Sequence, residues 1–470
     1  MPIRLWNTLT HKKQLFRPQR SGVATLYTCG PTVYNYMHIG NLRTFVFEDL
    51  LKRTLLASDL RVRHIMNITD VGHLTNDSDD GDDKMERAAL TTGKSIWELA
   101  AFYTEAFQQD VAALNILPPM RYTLATDHIK EQIALVKKLE KKGHTYRTSD
   151  GIYFDTATWK KYGVLMSKKH LAGLHKGARV SASEEKRNAT DFALWKFSPS
   201  DGGAKRQMEW DSPWGVGFPG WHIECSAMAM KYLGTTLDIH CGGVDHITIH
   251  HTNEIAQSEA VTGKPFARFW MHGEFLQINS AKMAKSQGNF LRIADVRDHG
   301  LDPIDYRYFL LQTHYRKQLQ FSWEAVEAAA TGLRNLVERL AQAPASNRAE
   351  SKLSKAITAA MQDDLNAPKA IALLWKAIGK KGAVDARIAE AIFAADDAYF
   401  GLNLRTRVAT HLSKPTSTQE LPADIQGILD ARALARSSRD FAASDRLRDE
   451  LLARGYVVKD TPTGQEVSTR

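Results

Sequence analysis

Residues 23–41 read VATLYTCGPTVYNYMHIGN, and the order of residue types in this stretch sets the fold. Val23–Cys29 is a short run of β-branched, aromatic and small residues, the composition of a buried strand. Gly30 and Pro31 break it. After a loop, Leu42, Phe45, Val46 and Leu50 recur at helical spacing, which places a helix start near His38–Asn41. Strand, glycine-containing loop, then helix is how doubly wound nucleotide-binding sheets begin. RVRHIMNITD at 61–70 is the next strand expected.

Outward from this core, residues from about 95 to 143 carry a helical pattern (IWELAAFYTEAFQQDVAALNIL, then HIKEQIALVKKLEKKGH). Residues 144–210 are irregular, turn-rich and basic, with short strands such as GIYF, and suggest an insertion between two halves of a nucleotide-binding domain. Mixed strand and helix return over 211–310, with LDIHCGG, a helix at 250–260 and FLQIN. Beyond Asp305 the chain turns mainly helical, with AQAPASNRAES (341–351) separating helices and the Ser/Thr/Pro-rich SKPTSTQELP (413–422) as a linker. The acidic NDSDDGDD at 76–83 fails as a calcium loop: with Gly81 at loop position six, position twelve is Arg87 rather than Glu. It is expected to be a solvated loop.

A chain of 470 residues is too long for one ordinary core, so several domains are expected. With 43% hydrophobic and 24% charged residues the composition is globular rather than disordered, and the net charge of +9 suits a polyanionic partner. The three cysteines, Cys29, Cys225 and Cys241, are too few and too scattered for a disulfide framework, which fits a reducing compartment. The first residues lack the apolar core of a secretory signal, and no apolar run approaches the ~20 residues that span a bilayer. A cytoplasmic location with no membrane contact is expected.

Two short motifs suggest phosphate chemistry. His38-Ile39-Gly40-Asn41 falls at the strand-to-helix junction, where free N–H groups and the helix dipole suit a phosphate. His38 could donate to charge developing there, and Gly40 allows close backbone approach. Lys282-Met283-Ala284-Lys285-Ser286, about 240 residues later, places two lysines three apart in a loop able to grip a triphosphate. A third group has metal-ligand chemistry. His250 and Glu254 are four apart, hence on one helix face, and two thiolates with an imidazole and a carboxylate make an acceptable zinc set. On spacing, His251 with Glu254 serves equally well. A free cysteine is more commonly a packing residue, and Cys241 is read as one.

The paired motifs resemble the HIGH and KMSKS signatures of class I aminoacyl-tRNA synthetases. Asn41 stands where the second His would be, keeping a hydrogen-bonding side chain, and Ala284 stands for the first Ser. CGPTVYNYMHIGN (29–41), GWHIECSAM (220–228) and HHTNEIAQS (250–258) closely resemble stretches of cysteinyl-tRNA synthetases. LWNTLT, NITD, LNILPP, DDLNAPKAIALLW and RDFAASDRLRDELLARGYVVKDTPTG do so as well, so the resemblance covers most of the chain. It implies one zinc per chain on Cys29, Cys225, His250 and Glu254, and it is the resemblance that selects His250 over His251. It implies a cysteine pocket of Cys29, Gly30, Thr69 and Trp221. ATP would meet His38, Gly40, Asn41, Asp245, Lys282 and Lys285, with His38, Asn41, Lys282 and Lys285 catalytic. Magnesium would accompany ATP.

The implied fold is α/β. A Rossmann-like class I synthetase catalytic domain occupies 1–120 and 211–310, split by an insertion at 121–210. An α-helical bundle (311–412) and a linker with a small anticodon-binding domain (413–470) follow. The implied reaction joins L-cysteine to ATP as cysteinyl-adenylate, then transfers it to the tRNA for cysteine, by a monomer. Zinc suits that substrate because cysteine and serine differ by one atom, which a shape pocket separates poorly, whereas a soft metal prefers the thiolate. The tail arginines Arg432, Arg436, Arg439, Arg446 and Arg448 are expected to face RNA. An alternative is a zinc-dependent ligase joining cysteine to an amino sugar, as in mycothiol synthesis. The arginine-rich tail and the long region after residue 310 favour tRNA.

Overall fold

The computed structural model describes residues 2–72, 84–166, 185–198, 206–278, 281–282, 290–379, 382–413, 421–461 and 464–469. The acidic stretch 76–83 and Met283–Ser286, including Ala284 and Lys285, lie outside the described residues. The chain divides into two compact units, Met1–Val408 and Ala409–Arg470.

The first unit is built on β1 (Val23–Thr28), α1 (Ile39–Leu56), β2 (Arg61–Ile68), α2 (Ile96–Ala113), β3 (Arg121–Leu124), α3 (Trp221–Leu233), β4 (Leu237–Gly243), α4 (His250–Thr262) and β5 (Ala267–Gly273). The five strands form one parallel sheet in the order β5-β4-β1-β2-β3. Every residue of β4 is buried, as expected for a parallel strand covered on both faces. The sheet's two directions of growth diverge at β1, whose neighbours are β2 on one side and β4 on the other. A crevice therefore opens beyond the carboxyl ends of β1 and β4, the place where such sheets bind ligands.

β3 falls between the two helical stretches of the 95–143 region, where no strand was expected. It is a four-residue edge strand, RYTL, too short to show an alternating pattern, and pairing with β2 defines it (Ile65 with Arg121, Ile68 with Leu124). A four-stranded antiparallel sheet is formed by Thr145–Arg147, Gly151–Phe154 and Phe192–Phe197 of the insertion with Gly217–Pro219, which lies beyond it.

α1 is buried along most of its length, between the sheet and the later helices. Its Leu42, Phe45, Val46 and Leu50 join the largest apolar cluster, each worth about 1.5–3 kcal/mol relative to exposure. Polar residues of α1 are buried too, and Asp49 is paired: it accepts from Arg53 Nε at 2.7 Å, from Arg307 and from the Leu117 amide at 2.9 Å. Beyond residue 320 come helices Trp323–Ala341, Ser351–Gln362, Ala367–Ile378 and Ala386–Ala395.

The second unit packs helices Ala423–Ser437 and Phe441–Ala453 with an antiparallel pair, Tyr456–Thr461 and Gly464–Thr469. Arg432 departs from the expectation that it faces RNA. Its side chain is 1% exposed, and it donates to both Asp460 carboxylate oxygens (2.8 and 3.0 Å) and to Gln465 (2.8 Å). Arg436 also pairs with Asp460, at 2.9 Å, while Arg439 and Arg446 are exposed.

Candidate active site

A cavity of about 390 Å³ fills the crevice between β1 and β4. Cys29 follows β1 directly, and its amide donates to the Cys241 carbonyl at 3.1 Å, extending the sheet by one residue. Gly30 turns the chain where nothing larger fits, since a Cβ there would lie 1.7 Å from the Asn67 carbonyl oxygen. Asn67 fixes this wall, accepting from the Gly30 amide at 2.8 Å and donating to Thr69 Oγ1 at 3.1 Å. Thr69 in turn donates to the buried Glu224 at 3.0 Å.

The floor is a cluster of metal-ligating side chains. One ligand atom from each of Cys29, Cys225, His250 and Glu254 lies within 4.8 Å of the others, and all four residues are buried. They arrive from the end of β1, from α3 and from α4. The helical offset brings His250 Nε2 to 2.8 Å from Glu254 Oε1. A second group, Cys29, His240, His251 and Glu254, meets the same distance limit. The two groups differ in access. Cys29, Cys225 and His250 line the cavity, whereas His240 and His251 do not. Three donors of the first group therefore line the cavity and one, the shared Cys29, of the second; an open position facing a substrate is what separates catalytic zinc sites from closed structural ones.

The electrostatics match a cation-binding floor. Burial alone would raise the Glu254 pKa, but the adjacent His240 and His250 outweigh it and hold the carboxylate down at about 2. Burial would lower the His250 pKa, but Glu254 and Cys225 raise it to about 10. Cys29 is pushed well up by burial and by Cys225 beside it. Cys225 is lowered, because bonds from Cys29 and His250 overcome its burial. A divalent cation bound among these donors would displace protons from the thiols and from His250.

The rim includes a helix N-terminus. His38 caps α1: its Nδ1 accepts from the Asn41 amide at 3.0 Å, and Asn41 Oδ1 accepts from the His38 amide at 3.4 Å. HIGN is therefore a reciprocal capping box. Asn41 does for the His38 amide what the cap needs, which gives the departure from HIGH a physical role. A Cβ on Gly40 would sit 2.9 Å from His38 Nδ1, so glycine leaves room for this ring. His38, Asn41 and Asp245 all line the cavity, as do Gly30, Thr69 and Trp221. The Trp221 ring lies 4.8 Å from that of His250. Lys282 is in the short strand Ala281–Lys282, which pairs with Leu276–Ile278.

Sequence reading weighed His251 but missed the other imidazoles around the floor. His222 Nδ1 is 3.0 Å from His250 Nδ1, and His240 Nε2 is 2.7 Å from Glu254 Oε2. His251 bonds His272 at 2.8 Å and approaches Cys29 Sγ at 3.3 Å. Burial holds the His246 pKa down at about 4 and pushes those of His251 and His272 well below the usual range. A signal was present, because His240, His246, His250 and His251 crowd into twelve residues.

Comparison with known proteins gives the class and then the family. Two solved synthetases match at fold level only. A Mycobacterium tuberculosis methionyl-tRNA synthetase in complex with methionyl-adenylate has a TM-score of 0.54 at 18% identity, covering 90% of this chain and 96% of its own. LeuRS from Agrobacterium radiobacter has a TM-score of 0.58 at 12% identity, covering 84% and 86%. The fold is that of a class I aminoacyl-tRNA synthetase. The family model "tRNA synthetases class I (C) catalytic domain" matches residues 15–331, and "Cysteinyl-tRNA ligase anticodon binding domain" matches 418–467. A Burkholderia lata cysteine–tRNA ligase is 48% identical, covering 99% of this chain and 97% of its own, and one from Treponema denticola is 44% identical, covering 98% of each. The chain belongs to the cysteine–tRNA ligases. The amino-sugar ligase alternative is not favoured: the relatives are tRNA ligases matched over their whole length and the tail matches an anticodon-binding domain. The family implies tRNA, an amino acid and ATP as substrates. Among the described residues no helix is long and apolar enough to cross a membrane.

Proposed function

We propose that the cavity activates cysteine at one end and places ATP at the other. The observation that carries this reading is the convergence of Cys29, Cys225, His250 and Glu254 on the floor of a cavity whose rim is the capped N-terminus of α1. Those four residues would hold one zinc ion per chain. Zinc would bind the substrate as a thiolate, a preference for sulfur over a hydroxyl that could make a separate editing step unnecessary. Trp221 and Thr69 would bound the amino-acid side of the pocket, with Gly30 permitting close approach.

ATP, with magnesium as its companion ion, would lie toward His38, Gly40, Asn41 and Asp245. The cysteine carboxylate attacks the α-phosphorus, and pyrophosphate leaves. The dipole at the start of α1 and the His38 ring would stabilise the extra negative charge, and Lys282 and Lys285 would hold the leaving phosphates. The tRNA terminal ribose hydroxyl then attacks the acyl carbon, releasing AMP. No covalent enzyme intermediate is needed, so positioning and fixed charge supply the rate. The helices beyond residue 320 and the arginine-bearing second unit would hold the tRNA. The enzyme would work as a monomer in the cytoplasm.

The test is ATP–pyrophosphate exchange with cysteine or serine as the amino acid, on protein whose metal content is measured. Exchange with cysteine, little with serine, and about one zinc per chain are expected. Metal-free protein that still prefers cysteine would overturn the zinc assignment.

A further inference from the structure

Three aromatic rings, half-buried Tyr36 and Tyr103 and exposed Phe102, cluster where Tyr36 lines the cavity. Tyr36 lines the cavity and meets Tyr103 and Phe102 of α2 edge-on, with ring centroids 5.2 and 5.9 Å away, and those two rings lie 5.1 Å apart. Phe102 is 41% exposed. The inner face of α2, with Leu99, Phe107 and Val111, is buried, so the helix is already anchored without this outer ring. Cations border the group. Lys94 Nζ is 4.7 Å from the Phe102 ring centroid, and the Arg292 guanidinium is 4.9 Å from that of Tyr36.

Clustered rings that reach solvent with cations over them match a surface that binds single-stranded nucleic acid, where bases stack on aromatic and guanidinium planes and phosphates meet the charges. A polynucleotide is also what this cavity must admit, because tRNA has to bring its terminal ribose to the aminoacyl group. The unpaired 3′ end therefore crosses the cavity mouth. We propose that Tyr36, Phe102 and Tyr103, flanked by Lys94 and Arg292, form the stacking platform that guides the single-stranded 3′ end of tRNA into the cavity. The proposal rests on reading the cavity as the adenylate site. Aromatic contact supplies grip without demanding particular bases, and the cations supply the salt-dependent part.

The test compares Phe102→Ala and Phe102→Trp with the parent enzyme. Each is assayed for tRNA-free ATP–pyrophosphate exchange, for charging, and for binding of intact tRNA and of tRNA lacking its unpaired 3′ nucleotides. Phe102→Ala is expected to lower charging kcat/KM by about tenfold, with exchange held within about twofold, and Phe102→Trp to restore charging. The shortened tRNA should bind the parent and Phe102→Ala equally. Lys94→Ala should reduce the salt slope for intact tRNA by about one. Equal weakening of intact and shortened tRNA, unchanged charging, or a parallel fall in exchange would overturn the platform. Absence of cysteine-dependent exchange in the parent enzyme would instead overturn the adenylate-site reading beneath it.

Discussion

The two ends of the cavity are made differently. The rim is local: His38 and Asn41 are three residues apart, and each caps the other's amide. The floor is assembled from distant parts of the chain, since Cys29 and Cys225 are almost 200 residues apart and meet only because β1 ends beside α3. A local device tolerates substitution so long as the cap survives, as Asn41 in place of a histidine illustrates. A floor of buried donors tolerates little, because removing one partner leaves the others charged and unmatched.

Breaking the floor should give the largest effect. Cys225→Ser should lose most of its zinc, and its cysteine-dependent exchange should fall by more than the roughly 10²–10³-fold that loss of one transition-state donor costs. Cys241→Ser, buried but lining no part of the cavity, should keep its metal. Zinc analysis of both proteins checks this, and equal retention would remove Cys225 from the ligand set.

Lys285→Ala sharpens the same comparison through the ATP chemistry proposed. It should lower exchange by roughly 10²–10³-fold while cysteine affinity changes little, because the lysine charge would act chiefly in the transition state. Exchange kinetics beside a cysteine-binding titration separate the two quantities, and an equal loss in both would indicate a ground-state role.

A smaller effect is expected from ending the chain near residue 413. The second compact unit begins at Ala409, and every residue proposed for metal, cysteine or ATP lies before residue 290. Exchange should stay within about twofold while charging weakens and the salt dependence of tRNA binding becomes shallower. Lost exchange would make the tail part of the catalytic fold.

The smallest and most local test contrasts two tail arginines. Arg446→Ala should reduce the salt slope of tRNA binding by about one with little change in stability. Arg432→Ala should destabilise the second unit by about 1.5–3 kcal/mol, because it removes charge-assisted bonds to Asp460. Denaturant unfolding and salt-dependent binding distinguish the two, and a slope change for Arg432 without lost stability would reverse their roles.

The strand, glycine loop and capped helix at 23–56 were legible because each is a local pattern with its own physical signature. The same holds for the His250–Glu254 offset, which any helix enforces. The short strand at 121–124 was not legible, since four residues carry no periodicity and its partner strand is more than fifty residues away. The histidine shell was missed for a related reason: crowding in sequence was visible, but which rings face the cavity depends on packing.

By itself the sequence determined the nucleotide-binding framework and the chemical types available at the site. Through family resemblance it also indicated the substrate. Tertiary structure decided three things that spacing leaves open. It placed His250 rather than His251 on the cavity wall, because only one of two adjacent residues on α4 can face the crevice. It brought Cys29 and Cys225 to a common point, which no local pattern encodes. It turned Arg432 inward onto Asp460, since a helix with arginines on several faces must bury one of them when another element packs against it.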